Sequence, residues 1–244
     1  MLSFNGVSKS FASGVKALDG ASFSVERGEF LSLVGPSGCG KSTALRLIAG
    51  LTKPTGGKVT WQGAPPSVGF VFQDAALLPW ATVEKNVRLP LELKASDDAV
   101  TALKVADALE LVGLSGFAKA YPRELSGGMR MRASIARALA ADATLLLMDE
   151  PFAALDELTR ERLNDELRAL WAARSLTVIF VTHSIYESVY LSSRVVVMSA
   201  RPGHVVDDIS MGEPQARTPD FRLSPAYGER CKTVRAALQK GGAA

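Results

Sequence analysis

Apolar and polar residues change their period several times along the chain. The N-terminal stretch LSFNGVSKSF, residues 2–11, alternates apolar and polar positions, which predicts a half-exposed antiparallel strand. Continuous apolar runs follow at FLSLV, TLLLMD, TVIFVT and RVVVMS, and shorter ones at KVTWQG and VGFVFQ. Continuous runs of this length are typical of strands that are buried on both faces of a parallel sheet. The pattern therefore predicts an α/β fold with a parallel sheet and an antiparallel β subdomain.

A helical block interrupts these strands over residues 82–120. Pro90 is expected to interrupt its first helix, while Ser96, Asp97 and Asp98 supply a cap and an acidic first turn for the next. We interpret this block as an α-helical lobe inserted into the fold.

Four residues of the tail also have helical spacing, namely Tyr227, Cys231, Val234 and Leu238. We favour a terminal helix that docks on its own domain and exposes a basic face; a partner-binding surface is the alternative. The predicted domains are a core (residues 1–82 and 139–211), a helical subdomain (83–138) and a C-terminal tail (212–244).

Composition narrows the class of protein. The chain has 244 residues, of which 47% are hydrophobic, and this is enough to bury a sizeable interior. Two cysteines are too few for a disulfide framework and no charged-then-apolar leader opens the chain, so we expect a cytoplasmic setting. A net charge of +3 without a basic run predicts no nucleic-acid partner. No apolar run approaches the roughly 18 residues of a membrane span, so any work at a membrane needs other chains.

A glycine-rich stretch, GPSGCGKST, joins an apolar strand to a helix, which is the context that the phosphate-loop pattern requires. Its backbone N–H groups can wrap phosphates, Lys41 can neutralise the terminal ones, and the Ser42 hydroxyl can ligate Mg²⁺. A plain helix cap would need neither the lysine nor so many glycines. Cys39 is interpreted as a small filler of the loop. The sequence thus predicts a P-loop NTPase core whose nucleotide-binding residues are Gly35, Pro36, Ser37, Gly38, Cys39, Gly40, Lys41, Ser42 and Thr43.

Polar side chains end two further apolar strands. Asp149 and Glu150 close TLLLMDE, and a parallel sheet would deliver them to the same edge as the glycine loop. Asp149 suits the Mg²⁺ shell and Glu150 can act as general base; solvated acids at a strand end are the alternative. His183 ends TVIFVTH at the edge where a γ-phosphate would lie. Gln73 can reach Mg²⁺ or the attacking water with its amide, and Phe11 either stacks on adenine or packs in the core.

A second anion pocket begins at LSGGMRMRASIARALA, residues 125–140. The hydroxyl of Ser126, the bare N–H groups of Gly127 and Gly128, and the start of an amphipathic helix all favour a negative charge. Neither a general base nor a metal ligand stands beside them in the sequence.

In this order the pieces resemble the nucleotide-binding subunit of an ABC transporter, over nearly the whole chain. The matching positions are Phe11 (adenine-stacking aromatic), 35–43 (Walker A loop), Gln73 (Q-loop), 125–129 (signature motif), 145–150 (Walker B strand), 154–156 (D-loop) and His183 (switch histidine). The resemblance implies an ATPase that uses ATP and Mg²⁺. It implies that the catalytic residues are Glu150, His183 and Gln73, and that the metal ligands are Ser42, Gln73 and Asp149.

The resemblance also implies partners. In that family two copies meet head to tail, and each ATP lies between the Walker A loop of one copy and the signature helix of the other. Ser126, Gly127 and Gly128 would therefore serve a nucleotide held by a second subunit, which we expect to be an identical chain. Transmembrane permease subunits, a solute-binding protein that acts through them, and a peripheral place on the cytoplasmic face of the cell membrane are further implications.

Several positions depart from the usual pattern of the family. Phe11 stands where tyrosine is common, and Met129 and Met131 stand where glutamine is often found. Ala153 precedes the D-loop in place of serine or glycine, and Ser184 follows the histidine in place of aspartate. Because the core catalytic residues are all present, we expect an active ATPase with altered nucleotide affinity.

Residues 73–87 and the later MSARPG, residues 198–203, resemble the subunits that energise uptake of nitrate, sulfonates, taurine and some pyrimidine precursors. Beside Gln73, the apolar residues 77–80 (LLPW) either receive the coupling helix of a membrane subunit or pack the helical lobe onto the core. Two other classes remain open. A soluble ABC-type ATPase acting on nucleic acid or ribosomes would share the nucleotide motifs, and a small-molecule P-loop kinase would share the Walker A loop but has no use for LSGG.

Overall fold

The computed structural model describes residues 2–94, 97–213 and 217–242. Its strands are β1 (Leu2–Ser10), β2 (Lys16–Val25), β3 (Phe30–Val34), β4 (Gly56–Trp61), β5 (Val68–Val71), β6 (Leu145–Asp149), β7 (Thr177–Thr182), β8 (Arg194–Met198) and β9 (Val205–Ser210). Its helices are α1 (Lys41–Ile48), α2 (Val83–Leu93), α3 (Asp98–Leu111), α4 (Gly127–Ala140), α5 (Glu157–Arg174), α6 (Ile185–Leu191) and α7 (Pro225–Lys240). Within these described ranges no helix has both the length and the apolar character that crossing a membrane requires.

The larger sheet has six strands in the order β5-β6-β7-β3-β8-β9. Strands β5, β6, β7, β3 and β8 run parallel, and β9 pairs antiparallel with β8 at the edge. In the register, Val34 pairs with Thr182 and Asp149 pairs with Val181. The residues that follow β3, β6 and β7 therefore emerge at one edge of the sheet, and the predicted parallel α/β core is confirmed.

A separate antiparallel sheet has the strand order β2-β1-β4. Its inner face presents Phe4, Leu18 and Phe23, all buried, to helix α1 and the larger sheet. The antiparallel subdomain predicted from the alternation of the N-terminal stretch is thus confirmed. Strand β2 was not predicted, because glycine and aspartate interrupt its alternation.

The helical block consists of α2, α3 and α4, which pack on one another. Asp97 caps α3 as predicted, since its carboxylate accepts a hydrogen bond from the N–H of Ala99 at 2.9 Å; Ser96 lies outside the described residues. The expectation that Pro90 interrupts the first helix is wrong, because α2 continues through it. Val87 and Leu91 on either side of Pro90 are buried, and their packing offsets the hydrogen bond that proline cannot donate.

The described part of the tail docks on the core through α7. Cys231, Val234 and Ala237 are buried against the face of β8 and β9, which agrees with the favoured interpretation of the spacing. Before the helix, the buried Arg217 guanidinium donates to the carbonyls of Val189, Tyr190 and Ser192 at 2.7–2.9 Å, and to that of Met211. The tail thereby holds the C-terminal end of α6.

Candidate nucleotide-binding site

The glycine loop of residues 35–40 lies between β3 and α1, and its three glycines have no room for a side chain. Gly38 and Gly40 have φ angles of +74° and +103°, a region that other L-residues rarely adopt. A Cβ at Gly40 would lie 2.7 Å from the carbonyl oxygen of Ala17, and one at Gly35 would lie 2.9 Å from the Cys39 sulfur. This cradle, which opens directly into the start of α1, fits a phosphate chain bound by backbone N–H groups.

Lys41 is the first residue of α1 and is almost fully buried. Its ammonium donates to the carbonyl oxygens of Gly35 at 2.7 Å and Pro36 at 2.9 Å, so it is folded back on its own loop. Cys39 packs beneath it with the sulfur 3.8 Å from the Lys41 nitrogen. Burial raises the pKa of the Cys39 thiol although Lys41 opposes the shift, which suits a neutral filler of the loop.

Ser42 and Asp149 meet where β6 ends beside α1. The Ser42 hydroxyl donates to the Asp149 carboxylate at 2.8 Å. Burial raises the pKa of Asp149, and the neighbouring Glu150 adds to the increase, while the bond from Ser42 opposes it. A hydroxyl and a carboxylate at this separation are the hard oxygen ligands that Mg²⁺ takes together with substrate phosphates, so the pair fits that cation.

Glu150 and His183 form a second pair at the same edge. The Glu150 carboxylate lies 3.1 Å from Nδ1 of His183, and both side chains keep access to solvent. Glu150 has a φ of +48°, an uncommon conformation for a residue with a side chain, and its N–H donates to the Val181 carbonyl at 2.9 Å. Strand β7 therefore fixes the backbone of Glu150, and the contact with His183 orients its carboxylate, as a general base requires.

A cavity of about 220 Å³ lies beside these two pairs; Ser42 and Glu150 line it, whereas Asp149 and His183 are not among its lining residues. It is lined by the glycine loop, Lys41, Ser42, Thr43, Glu150, Val15 and Ala17, with Phe11 and Arg201 at its sides. Phe11 is 42% exposed and therefore is not a core residue. Its ring is accessible for stacking on a nucleotide base. A larger cavity of about 360 Å³ is lined by residues 25–28 and Thr177, at the opposite edge of the sheet from the glycine loop.

The signature segment does not join this cavity within one chain. Ser126 caps α4 by accepting from the N–H of Met129 at 3.2 Å, and it is exposed. Gly127 and Gly128 form the first turn of the helix, where a Cβ would meet Leu155 at 3.1 Å and Thr159 at 3.0 Å. The glycines thus allow α4 to pack closely beside α5, and the exposed cap is not among the residues that line the chain's own nucleotide cavity.

Gln73 follows β5 by two residues and is exposed. It is not among the residues that line the cavity. Its assigned contact with Mg²⁺ or the attacking water therefore stays a prediction.

These features define the P-loop class of nucleotide-hydrolysing proteins: a glycine cradle with a buried lysine, and the adjoining Ser42–Asp149 pair. The sequence profile of one family in that class, the ABC transporter family, matches residues 18–153, more than half of the chain. The chain belongs to this family. It is an ATP-hydrolysing subunit that uses ATP with Mg²⁺, and the resemblance inferred from the motifs is confirmed.

Individual relatives are similar over most of their length. An aliphatic sulfonates import ATP-binding protein, SsuB, of Bacillus cereus is 43% identical over 99% of this chain and 97% of its own. An ABC transporter ATP-binding protein of Methanocaldococcus jannaschii is 50% identical over 84% of this chain and 79% of its own. Among solved structures, the dimeric post-hydrolysis form of the ATP-binding cassette MJ0796, bound to ADP and phosphate, superposes with a TM-score of 0.77. It is 32% identical and covers 87% of this chain and 100% of its own.

The sequence analysis did not identify two arginines that have a structural role. Arg201, in the MSARPG stretch, reaches the nucleotide cavity, and Arg217 holds the end of α6. Neither lies in a periodic pattern. The cluster of proline and glycine around Arg201 was the one available signal, since it indicates a fixed turn.

Proposed function

We propose that the chain energises an importer of a small anionic or polar solute, with aliphatic sulfonates as the first candidate, and that it does so as a homodimer bound to transmembrane permease subunits. A solute-binding protein would deliver the cargo to the permease. The chain itself would lie on the cytoplasmic face of the cell membrane, without entering it. The single observation that carries the permease contact is the exposed position of Trp80.

Trp80 projects from a turn that the protein holds rigidly. The buried Asn86 accepts from the N–H of Leu78 at 2.6 Å and donates to the carbonyls of Leu78, Ala81 and Thr82 at 3.0–3.1 Å. One side chain therefore contacts four backbone groups of residues 78–82, with its two N–H donors shared among three carbonyls. The turn needs no packing by the indole, and Trp80 is 75% exposed.

The segment before the turn is held from the other side. Arg137 on α4 donates to the carbonyls of Ala75 at 3.0 Å and Ala76 at 2.7 Å, while Leu77 packs into the main core. A large aromatic side chain on a preorganised turn is the kind of anchor that dominates protein–protein interfaces. This supports a partner surface at Trp80, whereas Leu77 takes the packing role that the alternative assigned to the segment.

The cargo class is supported by similarity and not by any residue of the site. The Bacillus cereus relative is named for import of aliphatic sulfonates, and it matches almost the full chain. Nitrate, taurine and pyrimidine precursors remain within the proposed class, because cargo is selected by the permease and the solute-binding protein.

In the proposed chemistry, each side chain acts from the place described above. Glu150 accepts a proton from the attacking water, and His183 stays within hydrogen-bond reach of the Glu150 carboxylate and faces the terminal phosphate. Lys41 must exchange its loop carbonyls for phosphate oxygens when nucleotide enters. Ser42, Asp149 and the Gln73 amide would hold Mg²⁺, which would supply charge neutralisation.

The second copy would complete the site. The exposed cap at Ser126 and the following N–H groups of Gly127 and Gly128 are directed to a nucleotide held by the partner, with Phe11 of that partner stacking on the adenine. This accounts for an anion pocket without a base beside it, since the base stands in the other chain.

The test is to solubilise native membranes gently, capture the chain, and identify its companions by mass spectrometry. Co-capture of a multi-spanning permease is expected, and deletion of the gene for this chain should abolish growth on an aliphatic sulfonate as sulfur source. A chain found only in the soluble fraction with ribosomes or DNA would contradict the transporter role. Growth defects confined to nitrate or pyrimidine precursors would identify one of these, and not a sulfonate, as the transported solute.

A further inference from the structure

The turn formed by residues 199–204 is built against the nucleotide loop. The N–H of Gly203 donates to the Ala17 carbonyl at 2.9 Å, and the Gly203 carbonyl accepts from the N–H of Asp19 at 3.0 Å. A Cβ at Gly203 would lie 1.9 Å from the Cys39 carbonyl oxygen, so only glycine fits here. The turn therefore contacts both β2 and the glycine loop.

The same turn is fixed internally. The Ser199 hydroxyl accepts from the N–H of His204 at 3.0 Å and lies 2.9 Å from Nδ1 of the His204 ring. Ser199 is itself almost fully buried. A side chain carried by this turn is thus held in place relative to the loop.

Arg201 is the side chain that the turn carries to the cavity. Its Nε donates to the Gly38 carbonyl at 3.0 Å, and one Nη lies 2.8 Å from the place that a Cβ on Gly38 would take. Arg201 lines the same cavity as Phe11 and Lys41. No carboxylate of the described residues lies within 4.0 Å of its guanidinium, whose one hydrogen bond is to Gly38.

The two cationic side chains that line the cavity therefore differ in the number of N–H donors that remain free for a ligand. Lys41 is buried and engaged with two loop carbonyls, whereas Arg201 is exposed and keeps its Nη donors unengaged. An uncompensated guanidinium at the rim of an anion cradle offers a planar pair of donors that matches phosphate oxygens.

We propose that Arg201 is a nucleotide-binding residue: its Nε holds the Gly38 carbonyl and its Nη groups donate to phosphate oxygens of the bound nucleotide. It acts on the ATPase site of this chain and does not depend on which solute the transporter carries. Its contribution is to affinity, since its guanidinium is held at the Gly38 carbonyl and makes no hydrogen bond to Glu150 or His183.

The experiment measures ADP affinity of the purified full-length chain for three variants. R201M removes the charge but keeps an apolar stem, R201K keeps the charge but loses the Nε donor, and R174M is the matched control. Arg174 is exposed at the end of α5, at the opposite edge of the sheet. We expect R201M to weaken ADP binding by about 3- to 10-fold and R174M to leave it unchanged. R201K should weaken ADP binding measurably but less than R201M, because it keeps the charge and loses both the planar pair of donors and the bond to Gly38.

Two results would overturn the proposal. Equal weakening in R201K and R201M would show that the positive charge contributes nothing to ADP binding, so that Arg201 only braces Gly38 or stacks on the base. Wild-type affinity in R201M would show that the guanidinium does not meet the nucleotide. In the ATPase reaction, R201M should raise the KM for ATP by a similar factor and leave kcat near wild type, and R201Q provides a second neutral variant. Neither binding result depends on a permease, so the cargo proposal can fail independently.

Discussion

Replacing Trp80 with alanine separates a partner contact from a packing role. The side chain is 75% exposed, so about 190 Å² of a roughly 250 Å² tryptophan is available to a partner. At about 25 cal/mol per Å² this is an upper limit of about 5 kcal/mol, and truncation of a central interface tryptophan typically costs about 2–4 kcal/mol. About 60 Å² of the tryptophan surface is already buried in the free chain, so the substitution should lower the free energy of unfolding by at most about 1.5 kcal/mol.

The assay for W80A combines three measurements on the same preparation. We expect capture of the permease from solubilised membranes to fall by at least about 30-fold, and transport to fall with it, as about 2 kcal/mol implies. ATP hydrolysis by the free chain should stay near wild type, since Trp80 does not line the nucleotide cavity. L103A, which removes a side chain that is 68% exposed on α3, is the control and should change neither. Parallel loss of hydrolysis and transport, or undiminished permease capture, would refute the reasoning.

Three further variants test other parts of the site and the fold. E150Q should bind ATP near normally, while its turnover falls by about 10²–10⁴-fold; turnover above a tenth of wild type in a phosphate-release assay would remove Glu150 as base. Burial raises the pKa of Asp149 from 3.8. Just above pH 3.8 the folded chain therefore binds more protons than the unfolded chain does. At neutral pH the buried, ionised carboxylate then lowers the stability of the fold. D149N should therefore raise the Tm of the nucleotide-free chain or leave it unchanged, while Mg²⁺-dependent nucleotide binding is lost; a lower Tm would contradict this. R217M leaves buried carbonyls without a donor and should reduce the free energy of unfolding in urea by about 2–4 kcal/mol, whereas the exposed Arg235 gives a near-neutral R235M control; equal stability of the two would be the contrary result.

Features encoded in local pattern were predictable from the sequence. The apolar runs gave the buried strands β3, β6, β7 and β8, and the rule that parallel strands end at one edge placed Asp149 and Glu150 beside the glycine loop. The 3.1 Å pair between Glu150 and His183 unites residues that are 33 positions apart, as the strand order requires.

Features set by tertiary packing were not predictable. Pro90 is accommodated inside α2 because burial on both sides outweighs its local preference. Arg201 and Arg217 act through backbone carbonyls that are distant in the sequence, and no spacing rule brings such groups together. The exposure of Trp80 depends on the hydrogen bonds of Asn86, which its neighbours in the sequence do not reveal.

If each nucleotide site is shared by two chains, the rate of ATP hydrolysis must depend on protein concentration. ATPase rate would be measured over a range of protein concentrations, with the fraction of dimer determined by sedimentation under the same conditions. Because Ser126 lies outside the chain's own cavity, the account predicts that the rate per chain rises with concentration in step with the dimer. A constant rate per chain in a sample that sediments as monomer would contradict it.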